Sequence, residues 1–140
     1  MEDKYNLKRF IDAQELDYDM ALLEIKSGRK RTHWIWYIFP QLRELGYSSM
    51  AKYYGIKNID EAKAYLNNIT LKKHLLEISE ELYKLDGNIS NIMGYPDDLK
   101  LKSSMTLFSI ADPSNDIYKK ILDKFYNGEV DQVTIDLLKK

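Results

Sequence analysis

The sequence predicts an all-α fold, a compact single-domain bundle of roughly six to eight helices spanning residues 1–140. Three observations lead there. Apolar residues recur mostly at three- and four-residue spacing, and no stretch alternates apolar with polar over more than a few residues. Capping residues and glycines stand where such helices should begin and end. At 140 residues the chain has the length of one domain. A domain of that size buries roughly two-thirds of the surface its unfolded chain exposes, enough for a core without cross-links.

Taken in order, Leu16, Met20 and Leu23 form one stripe of a first helix, stopped by Ser27-Gly28. Glycine ends a helix well because it enters the left-handed region without steric cost. The basic run Arg29-Lys30-Arg31-Thr32 comes next, and then the aromatic block His33 to Phe39, closed by Pro40. The block suits a buried strand or a buried helix. Helix is preferred, because Thr32 is placed to cap it and no partner strand is visible. Asn58-Ile59-Asp60-Glu61 has capping-box spacing and opens a helix carrying Ala62, Tyr65 and Leu66. Thr70 is expected to cap a longer helix whose inner face is Leu71, Leu75, Ile78 and Leu82, with Gly87 beyond its end. Pro96 suits the first turn of a helix reaching about Ile110, with Asp97 and Asp98 complementing the helix dipole. Ser114 is expected to start the next, with Ile117, Ile121 and Phe125, ended by Asn127-Gly128. Asp131 caps the last, which contains Val133, Leu137 and Leu138.

Composition excludes several classes. With no cysteine there is neither a disulfide nor a thiolate metal site. The two histidines, His33 and His74, are far apart in sequence, and the pattern puts His74 on the exposed side of its helix; no metal site is expected. The six glycines are scattered, forming no phosphate-cradling loop, and no Gly-x-Ser-x-Gly elbow is present. The charged opening Met1-Glu2-Asp3-Lys4 leads into no long apolar run, and Thr32 to Leu42 is too short to span a bilayer. The expectation is a cytoplasmic protein with no membrane partner. Twenty-one Lys and Arg nearly balance 22 Asp and Glu, a net charge of −1, which argues against nucleic acid as the main partner. The 11 tyrosines suit half-buried helix faces and pocket walls equally.

Two segments fit their structural roles poorly, and function tends to sit in such places. In the first, Arg29 to Gln41, basic residues precede a histidine and two tryptophans. Exposed helical N–H groups beside guanidinium and ammonium groups suit an anion. Against that stands the plainer reading, in which Trp34, Ile38 and Phe39 are core and the cations are a solvated turn. The second segment runs from Tyr95 to Phe108. Leu101, Met105 and Phe108 make a buried stripe; Asp97, Lys100 and Ser104 lie beside it; Leu99, Ser103 and Thr106 form a third. Mid-helix serines and threonines either bond back to the preceding turn, allowing close packing, or face a pocket. Asp98 and Lys102, four apart, read as a surface ion pair.

The residues of both segments resemble a known family. Gly28 through Gln41, Tyr54-Gly55-Ile56, Ala62 through Leu66 and Pro96 through Phe108 are similar to the motifs of the domain of unknown function 1810 family. The resemblance covers nearly the whole chain and implies an all-helical fold and a cytosolic bacterial origin, with no established activity. Asn67-Asn68-Ile69 departs from the His-Pro pair usual in relatives, so no role for that histidine carries over. A fainter likeness to the NADAR family rests on Lys100, Met105 and Lys124-Phe125. Those helical enzymes cleave ADP-ribose N-glycosidic bonds, which implies a metal-free hydrolase.

Two readings result. In the first, the chain is a processing enzyme for, or a sensor of, an anionic, nucleotide-like small molecule of the ADP-ribose or NAD type, with no cofactor. Arg29, Lys30 and Arg31 would attract phosphate, Trp34 or Trp36 would stack on a base, and His33 and Gln41 would line the site. Asp97 or Asp98 would serve as general base or stabilise an oxocarbenium ion, with Lys100, Ser103 and Ser104 placing the substrate. In the second, the chain is a non-catalytic protein-interaction module whose tyrosine-rich surface binds a protein partner. Base rates allow a monomer or a small homo-oligomer.

Overall fold

The computed structural model describes residues 3–140; Met1 and Glu2, part of the charged opening, lie outside the described residues. The regular elements among the described residues are helices, as the spacing predicts. The helices are α1 Lys8–Lys26, α2 Ile35–Ile38, α3 Ser49–Tyr53, α4 Ile59–Asn67, α5 Ile69–Tyr83, α6 Ile89–Met93, α7 Asp97–Ala111, α8 Ile117–Tyr126 and α9 Gln132–Leu138. A 3-10 turn covers Arg43–Leu45. Nine α-helices among the described residues exceed the expected count, because α3 and α6 are single short turns with too few residues to show a period.

The core is built on α5 and α7. Leu71, Leu75, Ile78 and Leu82 of α5 are buried as expected, and α5 packs between α1 and α8. Leu101, Met105, Leu107 and Phe108 of α7 are fully buried against α4, α6 and α8. Each such side chain contributes about 1.5–3 kcal/mol by leaving water. Rings run through the centre: Phe10 meets Tyr65 edge-on at 5.1 Å, Tyr65 lies 5.3 Å from Phe108, and Phe108 lies 6.0 Å from Tyr118.

α1 turns its expected stripe outward. Leu16, Met20 and Leu23 are 83%, 52% and 62% exposed, while Phe10, Ala13, Gln14, Tyr18, Ala21 and Ile25 face the core. Gln14 is buried because its polar ends are used: its amide donates to the Tyr37 carbonyl (2.8 Å) and the Tyr65 hydroxyl (3.0 Å), and Oε1 meets His74 Nδ1 at 2.8 Å. His74 is therefore not on an exposed face. It is half-buried, stacked on Tyr18 with centroids 3.7 Å apart.

Several caps differ from expectation. Asn58 accepts the Glu61 N–H at 2.9 Å, but the Glu61 carboxylate takes the Lys57 N–H (3.0 Å) and Arg9 rather than closing the box. Asn68, not Thr70, caps α5 through the Leu71 N–H. α8 begins three residues after Ser114, whose hydroxyl donates to Asp112. Asp131 stands at the start of α9, but its side chain caps no backbone N–H there. It ties α9 to α7 instead, with Ser103 donating to its carboxylate at 2.7 Å and its N–H donating to the Thr106 hydroxyl at 2.9 Å. Thr106 also donates back to the Lys102 carbonyl. For Ser103 and Thr106 the mid-helix hydroxyls thus serve packing.

Between α2 and α4 the backbone makes one short parallel bridge, Leu42 to Ile56, with Arg43 N–H on the Ile56 carbonyl (2.8 Å) and Ile56 N–H on the Gln41 carbonyl (2.9 Å). Gly55 allows this approach, since a Cβ there would lie 2.4 Å from the Arg43 Cα. No helix among the described residues is long and apolar enough to cross a membrane.

Candidate functional site where two motifs meet

The first motif is set by the end of α1. Gly28, at φ 95°, turns the chain, and the Arg29 N–H closes back on the Glu24 carbonyl at 3.1 Å. The Glu24 side chain then gathers the residues of the basic turn around it. Its carboxylate accepts the Arg31 N–H (2.8 Å), the Thr32 N–H (3.0 Å), the Thr32 hydroxyl (2.7 Å) and the Trp34 indole N–H (2.9 Å). Burial pushes the Glu24 carboxyl up, but these four donors outweigh it and hold its pKa down to about 2. Thr32 is therefore committed to Glu24 and does not cap α2, whose first turn carries no side-chain cap. Trp34, Ile38 and Phe39 are core, and the aromatic block is helical over only four residues.

The two motifs touch. Lys30 Nζ lies 2.7 Å from Asp97 Oδ2, with only 5% of the lysine side chain and 17% of the aspartate exposed. The same ammonium donates to the Thr32 carbonyl (2.6 Å) and sits 5.0 Å above the Trp34 ring. On the other side of Asp97, Lys100 Nζ is 3.9 Å from Oδ1 and 5.5 Å from the Trp36 ring. One carboxylate thus stands between two ammoniums, each over a tryptophan, an arrangement that attraction to the ring faces reinforces. The Lys30 N–H donates to the Ile92 carbonyl at 2.7 Å, which ties α6 into the seam.

Two hollows flank it. Trp36, Gln41 and Lys100 line a cavity of about 10 Å³ together with Tyr54 and Gly55. That is room for about one water, far short of a base, and Trp34 is too buried to stack on one. On the opposite side, Arg29 and Lys30 edge an open groove of about 540 Å³ whose far wall is Asn88, Ser90, Asn91 and Gly94.

The remaining residues singled out in the sequence lie apart from the seam. His33 and Arg31 are exposed. Asp98 is buried: Oδ2 accepts the Ser90 hydroxyl at 2.7 Å and Oδ1 has no partner. It is not paired with Lys102, which reaches Glu129 at 3.4 Å; the first turn of α7 points Asp98 inward toward α6. Ser104 is fully buried with an unpartnered hydroxyl, and Ser103 serves α9. Sequence reasoning missed Glu24, Gln14 and Arg9, all buried polar residues of the first helix. Their only signal is a place on the α1 face that also holds Phe10, Ala21 and Ile25. Among the described residues, no group of three or more His, Cys, Asp or Glu could hold a metal ion.

Fold and seam together define a class: small all-α proteins in which a basic–aromatic turn is clamped to the first turn of a central helix. The chain belongs to the family described as protein of unknown function (DUF1810), whose model matches residues 4–138. Among solved structures it is similar to the conserved hypothetical protein Rv1873 from Mycobacterium tuberculosis. The two are 45% identical, with 99% of each chain covered and a TM-score of 0.96. No curated protein matches the chain.

Proposed function

We propose that the chain binds a small phosphate-bearing molecule, of the ADP-ribose type, in the groove beside the seam. The observation that carries this reading is the buried Lys30–Asp97 pair, which fixes the basic turn against α7 and leaves Arg29 at the groove's edge. Arg29 is exposed and has no carboxylate at ion-pair distance among the described residues. Its planar fork suits a phosphate bidentately. A volume near 540 Å³ lies within the range of small-molecule sites, and Asn88, Ser90 and Asn91 supply neutral donors and acceptors opposite. The reading is of binding rather than turnover, because Asp97 is held by two lysines and the free oxygen of Asp98 is sealed from solvent.

The interaction-module reading draws on Leu16, Met20 and Leu23. Three side chains cover only part of the roughly 800 Å² per partner that a stable interface buries, so it has the weaker support.

Thermal-shift measurements with ADP-ribose, NAD and ATP test the proposal. A ligand at about 100 times its Kd adds about 2.7 kcal/mol of stability, and Arg29→Ala should reduce that gain. Absence of a shift with all three, or an unchanged shift in the variant, contradicts it.

A further inference from the structure

We infer that a second groove, independent of the one beside the seam, takes a small molecule carrying two or more phosphate-type groups. The hollow between the start of α1 and the 43–57 segment measures about 310 Å³ and is lined by Lys4, Arg9, Arg43, Lys52, Lys57 and Glu61. Five cations face one carboxylate, in a chain whose net charge is −1.

Those charges divide into a frame and a rim. Arg9 and Glu61 are the frame: they pair at 2.7 Å with side chains 6% and 3% exposed. The other Arg9 donors are spent on carbonyls, those of Tyr53 (2.8 Å), Asn6 (2.8 Å), Tyr5 (2.5 Å) and Gly55 (3.1 Å). Arg9 therefore holds α1 to the end of α3 and has nothing left for a ligand. Lys4, Arg43, Lys52 and Lys57 form the rim. All four are exposed, and among the described residues none has a carboxylate at ion-pair distance.

The frame also places the rim. Arg43 is fixed by its N–H on the Ile56 carbonyl and by the close approach of Gly55. Lys52 rides on α3, which Ser48 caps through the Ala51 N–H at 3.1 Å. Four like charges converging on one hollow repel, and a multiply charged anion relieves that repulsion while gaining charge-assisted hydrogen bonds. The basic surface is local. Glu44 lines the adjoining hollow that Lys57 also edges, which interrupts any track for an extended strand. A compact diphosphate-sized group fits this geometry better than nucleic acid does.

Titration calorimetry with inorganic pyrophosphate, on the full chain at about 50 mM salt, tests the inference. With the groove beside the seam disabled by Arg29→Ala, pyrophosphate should still bind. The double variant Arg43→Ala/Lys52→Ala should bind at least about tenfold more weakly, and higher salt should weaken the wild type. Both substituted side chains are exposed, so matching circular-dichroism melts will show that the double variant is folded. Three results would overturn the inference: no wild-type binding, equal affinity in the double variant, or tighter binding of a single-stranded ten-nucleotide RNA than of pyrophosphate. Because Arg29→Ala separates the two grooves, failure here leaves the seam reading standing, and the reverse.

Discussion

Lys30 Nζ and Asp97 Oδ2 stand 2.7 Å apart across the join between the basic turn and α7, largely shielded from water. Removing one partner of such a pair leaves a poorly solvated charge, so Asp97→Ala should cost roughly 3 kcal/mol. A double-mutant cycle with Lys30→Met should return a coupling of about 1–3 kcal/mol by urea unfolding. The same cycle on Lys8–Asp12, whose side chains are 74% and 55% exposed, should return no more than about 0.5 kcal/mol. Equal couplings would mean that the seam is not a clamp.

Glu24 links stability to pH. Its folded pKa, about 2, lies below the ordinary 4.5, so its contribution is present above about 4.5 and is lost as the pH falls through the folded value. A difference of that size corresponds to on the order of 3 kcal/mol. Glu24→Gln should therefore cost about 2 kcal/mol at neutral pH, where the four donors lose a charged acceptor. The gap to wild type should narrow in unfolding experiments near pH 3; a gap independent of pH would count against the carboxylate as organiser.

His74 titrates low. Burial pushes its pKa below 6.5, between Tyr18 and the Gln14 amide. With the folded value depressed, the neutral ring's contribution is full above the unfolded value near 6.5 and is lost as the pH falls through the folded one. Ring-proton NMR should give a midpoint under 6.5, and a midpoint above it would contradict the buried placement.

The two faces of α1 should respond oppositely. Replacing exposed Leu16 and Leu23 with glutamine should change stability by no more than about 0.5 kcal/mol each. Ile25→Ala, on the buried face, should cost about 2–5 kcal/mol by thermal unfolding.

That contrast also shows what a sequence can and cannot tell. Leu71, Leu75, Ile78 and Leu82 announce their burial because large apolar groups repeat on one face with polar residues opposite. α1 misleads because its inner face mixes small Ala13 and Ala21 with polar Gln14 and Glu24, while three larger apolar residues line the outside. Hydropathy sees side chains one at a time; the satisfaction of Gln14 and Glu24 depends on partners 7 to 60 residues away. Caps failed for a related reason. In Asn68-Ile69-Thr70 two residues could serve, and only the backbone path decides which one does. Both motifs at the seam were legible as odd stretches of sequence. That Lys30 would meet Asp97, and that the tryptophans would be covered by lysines rather than open to a ligand, depends on the fold.

The central claim, a phosphate-bearing ligand in the groove beside the Lys30–Asp97 seam, is tested most directly by a two-dimensional amide NMR titration with ADP-ribose. Shifts should concentrate at Gly28–Lys30 and across Asn88–Gly94, and Arg29→Ala should reduce them. Saturating ADP-ribose that leaves those amides unmoved would contradict it.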